Sequence, residues 1–225
     1  MNDNNDRFGY ESLAFFGRVN ASISHELKNV MAIISETAGL LSDLSDMASS
    51  GAPVAPDMLK DCTLSIVEEI QRGFSVIRQM NRFSHSIDHP VESVDLMDVL
   101  DLSIYLSSYL SFAGKVDVRP YDGPAPMVVT CPFLLQAIVY QSLADAFKKI
   151  RAGSEVTISV AGSTDEKGWK ILFSGFGPGE LEGFPDALLK TMATSIGVAI
   201  DWDNRADRLE IFVPMTIDKG SLSES

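Results

Sequence analysis

Between Leu13 and Leu44 the chain carries an apolar stripe that no proline interrupts. Leu13, Phe16, Asn20, Ile23, Leu27, Val30, Ile34, Thr37, Leu41 and Leu44 follow one another at alternating steps of three and four, and eight of the ten are apolar. That spacing is the a/d seam of a helix that packs lengthwise against another helix. A breaker segment follows, Ser49-Ser50-Gly51-Ala52-Pro53-Val54-Ala55-Pro56, with Asp57 placed to cap the next helix. The second helical stretch runs to about Ile87, with Leu59, Ile66, Ile70, Ile77, Met80 and Ile87 on one seam. Two long helices joined by so short a loop make an antiparallel hairpin. A lone hairpin leaves one side of its stripe wet, so a second copy completing a four-helix bundle is expected, and with it a homodimer.

After Asp88-His89-Pro90 the pattern becomes mixed. A helix is expected from about Val94 to Phe112, a strand over Lys115–Tyr121, a turn at Asp122–Pro126, and a short strand at Val128-Val129. A helix over Phe133–Ile150 leads to alternating runs at Glu155–Ala161 and Trp169–Ser174, which read as paired strands. A helix near Pro185–Ile196 and strands near Val198–Trp202 and Leu209–Pro214 complete the set. Helices on one face of a mixed or antiparallel sheet form an α+β sandwich. The expected organisation is therefore a helical hairpin over residues 1–90, a sandwich domain over 91–217, and a frayed tail from 218 to 225.

Charge excludes several classes of function. Eighteen Lys and Arg stand against 31 Asp and Glu, a net charge of −13. Binding to nucleic-acid backbones comes from clustered cations, and anionic membranes repel such a chain, so neither partner is expected. No run of about 18 apolar residues exists to span a bilayer. The opening Met1–Arg7 is polar and acidic, the wrong start for a signal peptide. The two cysteines, Cys62 and Cys131, are 131 − 62 = 69 positions apart and have no metal-ligand spacing. They read as reduced thiols of a cytoplasmic protein, and no metal site is expected.

Of three histidines, His25 lies midway along the first helix, in Ser24-His25-Glu26-Leu27-Lys28-Asn29. With Leu27 at heptad position a, Glu26 is g, Asn29 is c and His25 is f, pointing away from the seam. An exposed histidine is usually only a surface residue. This one has Asn29 one turn later and Glu26 beside it. A neutral imidazole is a competent nucleophile at neutral pH. A neighbouring carboxylate can take the ring proton as the other nitrogen attacks phosphorus. His85 and His89 lack such company and read as linker residues.

The residues Ser24–Asn29 resemble the phosphoacceptor box of bacterial two-component histidine kinases, a His-Glu pair with Asn or Thr four residues after the His. Phe15-Phe16 upstream and Ile33–Leu41 downstream fit the same pattern, while Val30 replaces the proline many members carry. The resemblance implies that His25 is phosphorylated, that Glu26 is its acid/base partner, and that Asn29 orients water or the phosphoryl group.

Residues from about Val94 to Met215 are similar to the ATPase domain that follows such hairpins, and Thr130–Ile138 resembles the entry to its nucleotide helix. The family places two asparagines four apart there for Mg²⁺ and phosphates, then a basic residue; this chain has Gln141, Asp145 and Lys148. Gln is longer by a methylene, and Asp, though a possible Mg²⁺ ligand, adds charge beside a triphosphate. Where the family's Asp-x-Gly-x-Gly box binds the adenine amine, the chain has Ser174-Gly175-Phe176-Gly177. A charge-assisted hydrogen bond worth roughly 1.5–3 kcal/mol is forfeited with that carboxylate. Only Pro178–Phe184 remains in place of a lid. Two losses of about 2 kcal/mol each take a roughly 10 μM site to about 10 mM, so ATP binding reads as vestigial and no cofactor is expected.

With its nucleotide site degenerate, the chain most resembles the dimeric histidine phosphotransferases, and that resemblance implies a phosphorelay protein passing phosphoryl groups between aspartates of response-regulator receiver domains through His25. One alternative is a soluble, sensor-less histidine kinase with unorthodox contacts to ATP and Mg²⁺. Another is a non-catalytic pseudokinase that sequesters signalling partners.

Overall fold

A computed structural model describes residues 3–108, 114–149, 154–162, 167–175, 184–203 and 206–217. The chain divides into two compact units, one of residues 17–82 and one of residues 1–16 together with 83–225.

The first unit is an antiparallel helix pair drawn from α1 (Asp3–Ser49) and α2 (Pro56–His85). The sequence signal ended α1 at the right place for a physical reason. Gly51 takes a positive φ of 83°, Gly51 N–H bonds Ala48 O at 3.0 Å, and Ala52 N–H bonds Met47 O at 3.0 Å. This double bond pattern satisfies the last carbonyls of a helix around a left-handed residue. Helix α2 begins one residue before the expected cap. Pro56 opens it and Asp57 lies within the first turn, where its charge complements the helix dipole.

The predicted seam holds on α1 from Phe16 to Leu44, where its members are buried or half-buried, but not at Leu13, which is 69% exposed, and it is rotated on α2. Ile23, Val30 and Leu44 are buried, with Val19 beside them. On α2, Leu59, Ile70 and Ile77 are 41–43% exposed, while Cys62 and Val76 are buried. Gly73 is buried with them, and a Cβ built on it would stand 3.3 Å from Val30 Cγ1. Periodicity locates an apolar stripe but not which of two adjacent stripes turns inward. Small residues at 62 and 73 decided it by letting the helices approach closely. Ile70 and Ile77 of the displaced stripe, with Phe74 and with Leu27, Met31 and Ile34 of α1, line an open apolar groove of about 110 Å³.

The second unit contains the expected α+β sandwich. Strands β1 (Glu92–Asp95), β2 (Gly114–Val118), β3 (Met127–Thr130), β4 (Ser154–Gly162), β5 (Gly168–Ser174), β6 (Ala199–Asp203) and β7 (Arg208–Pro214) alternate with α3 (Leu96–Ser107), α4 (Pro132–Lys149) and α5 (Ala187–Ser195). Five strands form a mixed sheet in the order β2-β4-β5-β7-β6, with β2 and β4 parallel and the other pairs antiparallel. Ile158 opposes Phe173, Ile171 opposes Ile211, and Phe173 opposes Leu209, and all of these are buried. On the other face Lys170 and Glu210 pair at 2.5 Å beside the half-buried Leu172 and Phe212, so that face is less apolar than the core face.

Strand β1 corrects the expectation of a helix from Val94. It pairs antiparallel with β3, Val94 opposite Val128, and the helix starts only at Leu96. The Asp95 carboxylate accepts the Met97 N–H at 2.8 Å and caps α3. A four-residue strand with two acids in Glu92-Ser93-Val94-Asp95 offers too little alternation to detect. Helix α4 is buried nearly all round, including Leu135, Ile138, Tyr140 and Leu143. Its Tyr140 and Phe133 pack with Phe15 at ring separations of 5.0 and 5.5 Å, and Phe15 meets Phe83 edge-on at 5.4 Å. Among the described residues no helix is long and apolar enough to cross a membrane. Both cysteines are buried and unpaired. The tail 218–225 lies outside the described residues.

Candidate functional site

His25 sits in the middle of α1 and is exposed, on the side that its heptad position gives it. The segment stays helical because nothing in Ser24–Asn29 breaks it, and Val30 is buried against α2. Asn29, one turn on, brings its amide to the ring: Asn29 Nδ2 lies 3.3 Å from His25 Nδ1. An amide nitrogen only donates, so in this orientation the ring proton sits on Nε2. A half-turn of the same amide presents Oδ1 instead, which accepts Nδ1–H and leaves the Nε2 lone pair facing outward. Asn29 thus serves either tautomer.

Glu26 is turned away from the imidazole to the partner helix. Its Oε1 accepts a hydrogen bond from Arg72 Nη2 on α2 at 2.6 Å. Arg72 Nη1 also faces Glu69 Oε2 at 3.3 Å, so one guanidinium serves two carboxylates. The hydrogen bond it donates to Glu26, against a smaller cost of burial, holds the Arg72 pKa above its ordinary value. The sequence did not single out Arg72, which reaches Glu26 only through the folded hairpin, 46 residues on.

The predicted nucleotide positions lie in the second unit. On α4, Gln141 Nε2 donates to both carboxylate oxygens of Asp145, each at 3.0 Å. Lys148 belongs to the same helix, and its side chain lies outside the described residues. Ser174 ends β5, half-buried, opposite Thr157 on one side and Arg208 on the other. Gly175 follows at φ 98°, and a Cβ there would stand 2.2 Å from Glu155 O. A glycine is therefore required by the turn itself. Gly177 and the connection that replaces a lid, 176–183, lie outside the described residues. Among the described residues no group of His, Cys, Asp or Glu gathers to hold a metal. His85 Nδ1 pairs with Asp88 Oδ2 at 2.7 Å, an exposed i,i+3 contact.

No family model matches the chain, and no curated protein does. Among solved structures it is similar to the histidine kinase AdeS of Acinetobacter baumannii, at 12% identity and a TM-score of 0.45, over 80% of this chain and 95% of that one. It is also similar to the mycobacterial sensor histidine kinase MprB, at 20% identity and a TM-score of 0.41, over 56% of this chain and 99% of that one. A third likeness is to the cytoplasmic segment of the histidine kinase QseC, at 16% identity and a TM-score of 0.38, over 67% of this chain and 92% of that one.

Proposed function

We propose that this chain is a histidine phosphotransferase of a bacterial phosphorelay, acting in the cytoplasm as a homodimer and exchanging phosphoryl groups with aspartates of receiver domains through His25. The observation that carries the reading is an exposed imidazole in mid-helix whose Nδ1 is held by Asn29 at 3.3 Å. In the step, His25 Nε2 attacks the phosphorus of an aspartyl phosphate. The N–P bond forms as the P–O bond to the aspartate breaks, and the aspartate leaves as a carboxylate. The Nδ1 proton, directed by Asn29, leaves the ring for a carboxylate or water. The reverse step loads a second receiver.

The outward groove of Leu27, Met31, Ile34, Ile70, Phe74 and Ile77 supports dimerisation, because a hairpin alone leaves this face wet. The second unit has lost its nucleotide role in this reading and helps to hold the receiver. Its residues fit a magnesium nucleotide poorly: Gln141 occupies both oxygens of Asp145, and Ser174 offers no charged acceptor for an adenine amine. Incubation with labelled ATP and Mg²⁺ tests the point against the kinase alternative. The protein stays unlabelled under the proposal, and acid-labile label on His25 overturns it.

A further inference from the structure

We propose that Arg72 is a phosphoryl-binding residue of the His25 site, which exchanges Glu26 for the phosphoryl group as His25 is loaded. The inference rests on the reading of His25 as the phosphoacceptor. Glu26 adjoins His25 in the chain, and its carboxylate is tied across the hairpin to Arg72 Nη2 at 2.6 Å. Both side chains remain open to solvent, 42% exposed for Arg72 and 38% for Glu26, so an approaching partner reaches them. An exposed pair of this kind costs little to break.

Loading His25 changes the balance at this spot. A phosphoryl group brings a charge of about −1.5 to −2 next to Glu26, and like charges at that spacing repel. The guanidinium fork matches phosphoryl oxygens as well as it matches a carboxylate, and the larger charge draws it more strongly. Glu69 remains bonded to Nη1 and keeps the arginine near the site during the exchange. The exchange also releases Glu26. As the Nε2–P bond forms and the bond to the leaving group breaks, the leaving group takes the electron pair. The Nδ1 proton passes to the freed Glu26 carboxylate, and Arg72 stays protonated throughout. Lys28, three positions past His25 on the same helix, is the competing cation and supplies the control.

Potassium phosphoramidate, which delivers phosphoryl to imidazole and releases ammonia, tests this on the full chain without a receiver. Loading is followed as acid-labile phosphate. Arg72→Gln is expected to slow it about tenfold, the loss of one charge-assisted bond, with Arg72→Lys intermediate because it keeps the charge but not the fork, and Lys28→Gln unchanged. Loading of Arg72→Gln at the wild-type rate, or slowing by Lys28→Gln instead, overturns the inference. Should Arg72→Gln not fold, the Arg72 Nε–Hε resonance of the wild-type protein is expected to move on loading, and its constancy counts equally against the inference. His25→Ala separates the two readings. If it takes up phosphate like wild type, His25 is not the acceptor; if it stays blank while Arg72→Gln loads normally, only the role of Arg72 falls.

Discussion

Gln141 and Asp145 stand one helical turn apart on α4 and are bonded to each other, the Gln amide donating to both carboxylate oxygens at 3.0 Å. In the proposed reading this pairing disfavours a metal-bound phosphate. At the roughly 10 mM dissociation constant expected from the sequence, about 1 mM ATP would stabilise the fold by less than about 0.1 kcal/mol. A thermal melt with and without ATP and Mg²⁺ is therefore expected to show no shift. A rise of several degrees contradicts this.

Gly175→Ala is expected to destabilise the second unit by about 2–5 kcal/mol, combining a strained positive φ with a collision against Glu155 O. Urea denaturation followed by Trp fluorescence measures it. A neutral outcome would mean that the turn relaxes and that the glycine is not needed for the backbone path.

Gly73→Leu is expected to force the helices apart at Val30, where a Cβ alone already reaches 3.3 Å, and to cost about 1–3 kcal/mol. Phe74→Glu acts at the next residue, which lines the outward groove and is 59% exposed. It is expected to leave the hairpin folded and convert a dimer to a monomer in sedimentation velocity at micromolar concentration. Wild-type protein that sediments as a monomer contradicts the four-helix bundle.

Burial pushes the Cys131 thiol above its ordinary value of 9.0, outweighing the hydrogen bonds from Leu134 and Phe133. The folded protein then holds this proton more tightly than the unfolded chain does. Its contribution to stability is complete below the unfolded value and lost as pH rises through the higher folded one. Unfolding free energy is expected to fall as pH rises past the ordinary thiol value of 9.0, less steeply in Cys131→Ala. A thiol reagent is expected to react slowly with native protein and promptly after denaturation.

Much of this fold was legible because its signals are long or chemically sharp. The stripe from Leu13 to Leu44, the breaker around Gly51 and the alternation in Trp169–Ser174 each fix an element through one dominant constraint. Strand β1 was not legible, since Glu92–Asp95 has no apolar rhythm and exists through pairing with β3. The inward face of α2 was misread because small residues, Cys62 and Gly73, decide it rather than large apolar ones. At the site, the exposure of His25 followed from its heptad position and Asn29 from its spacing. Arg72 escaped because its partner Glu26 lies 46 residues away in sequence, and only the folded hairpin brings them together.

The central claim is that His25 takes a phosphoryl group from another protein rather than from ATP. The direct measurement mixes the chain with a phosphorylated receiver domain and follows label by gel, with His25→Ala in parallel. Acid-labile label is expected on the wild type and none on the variant. Equal labelling of both proteins, or of neither, contradicts the claim.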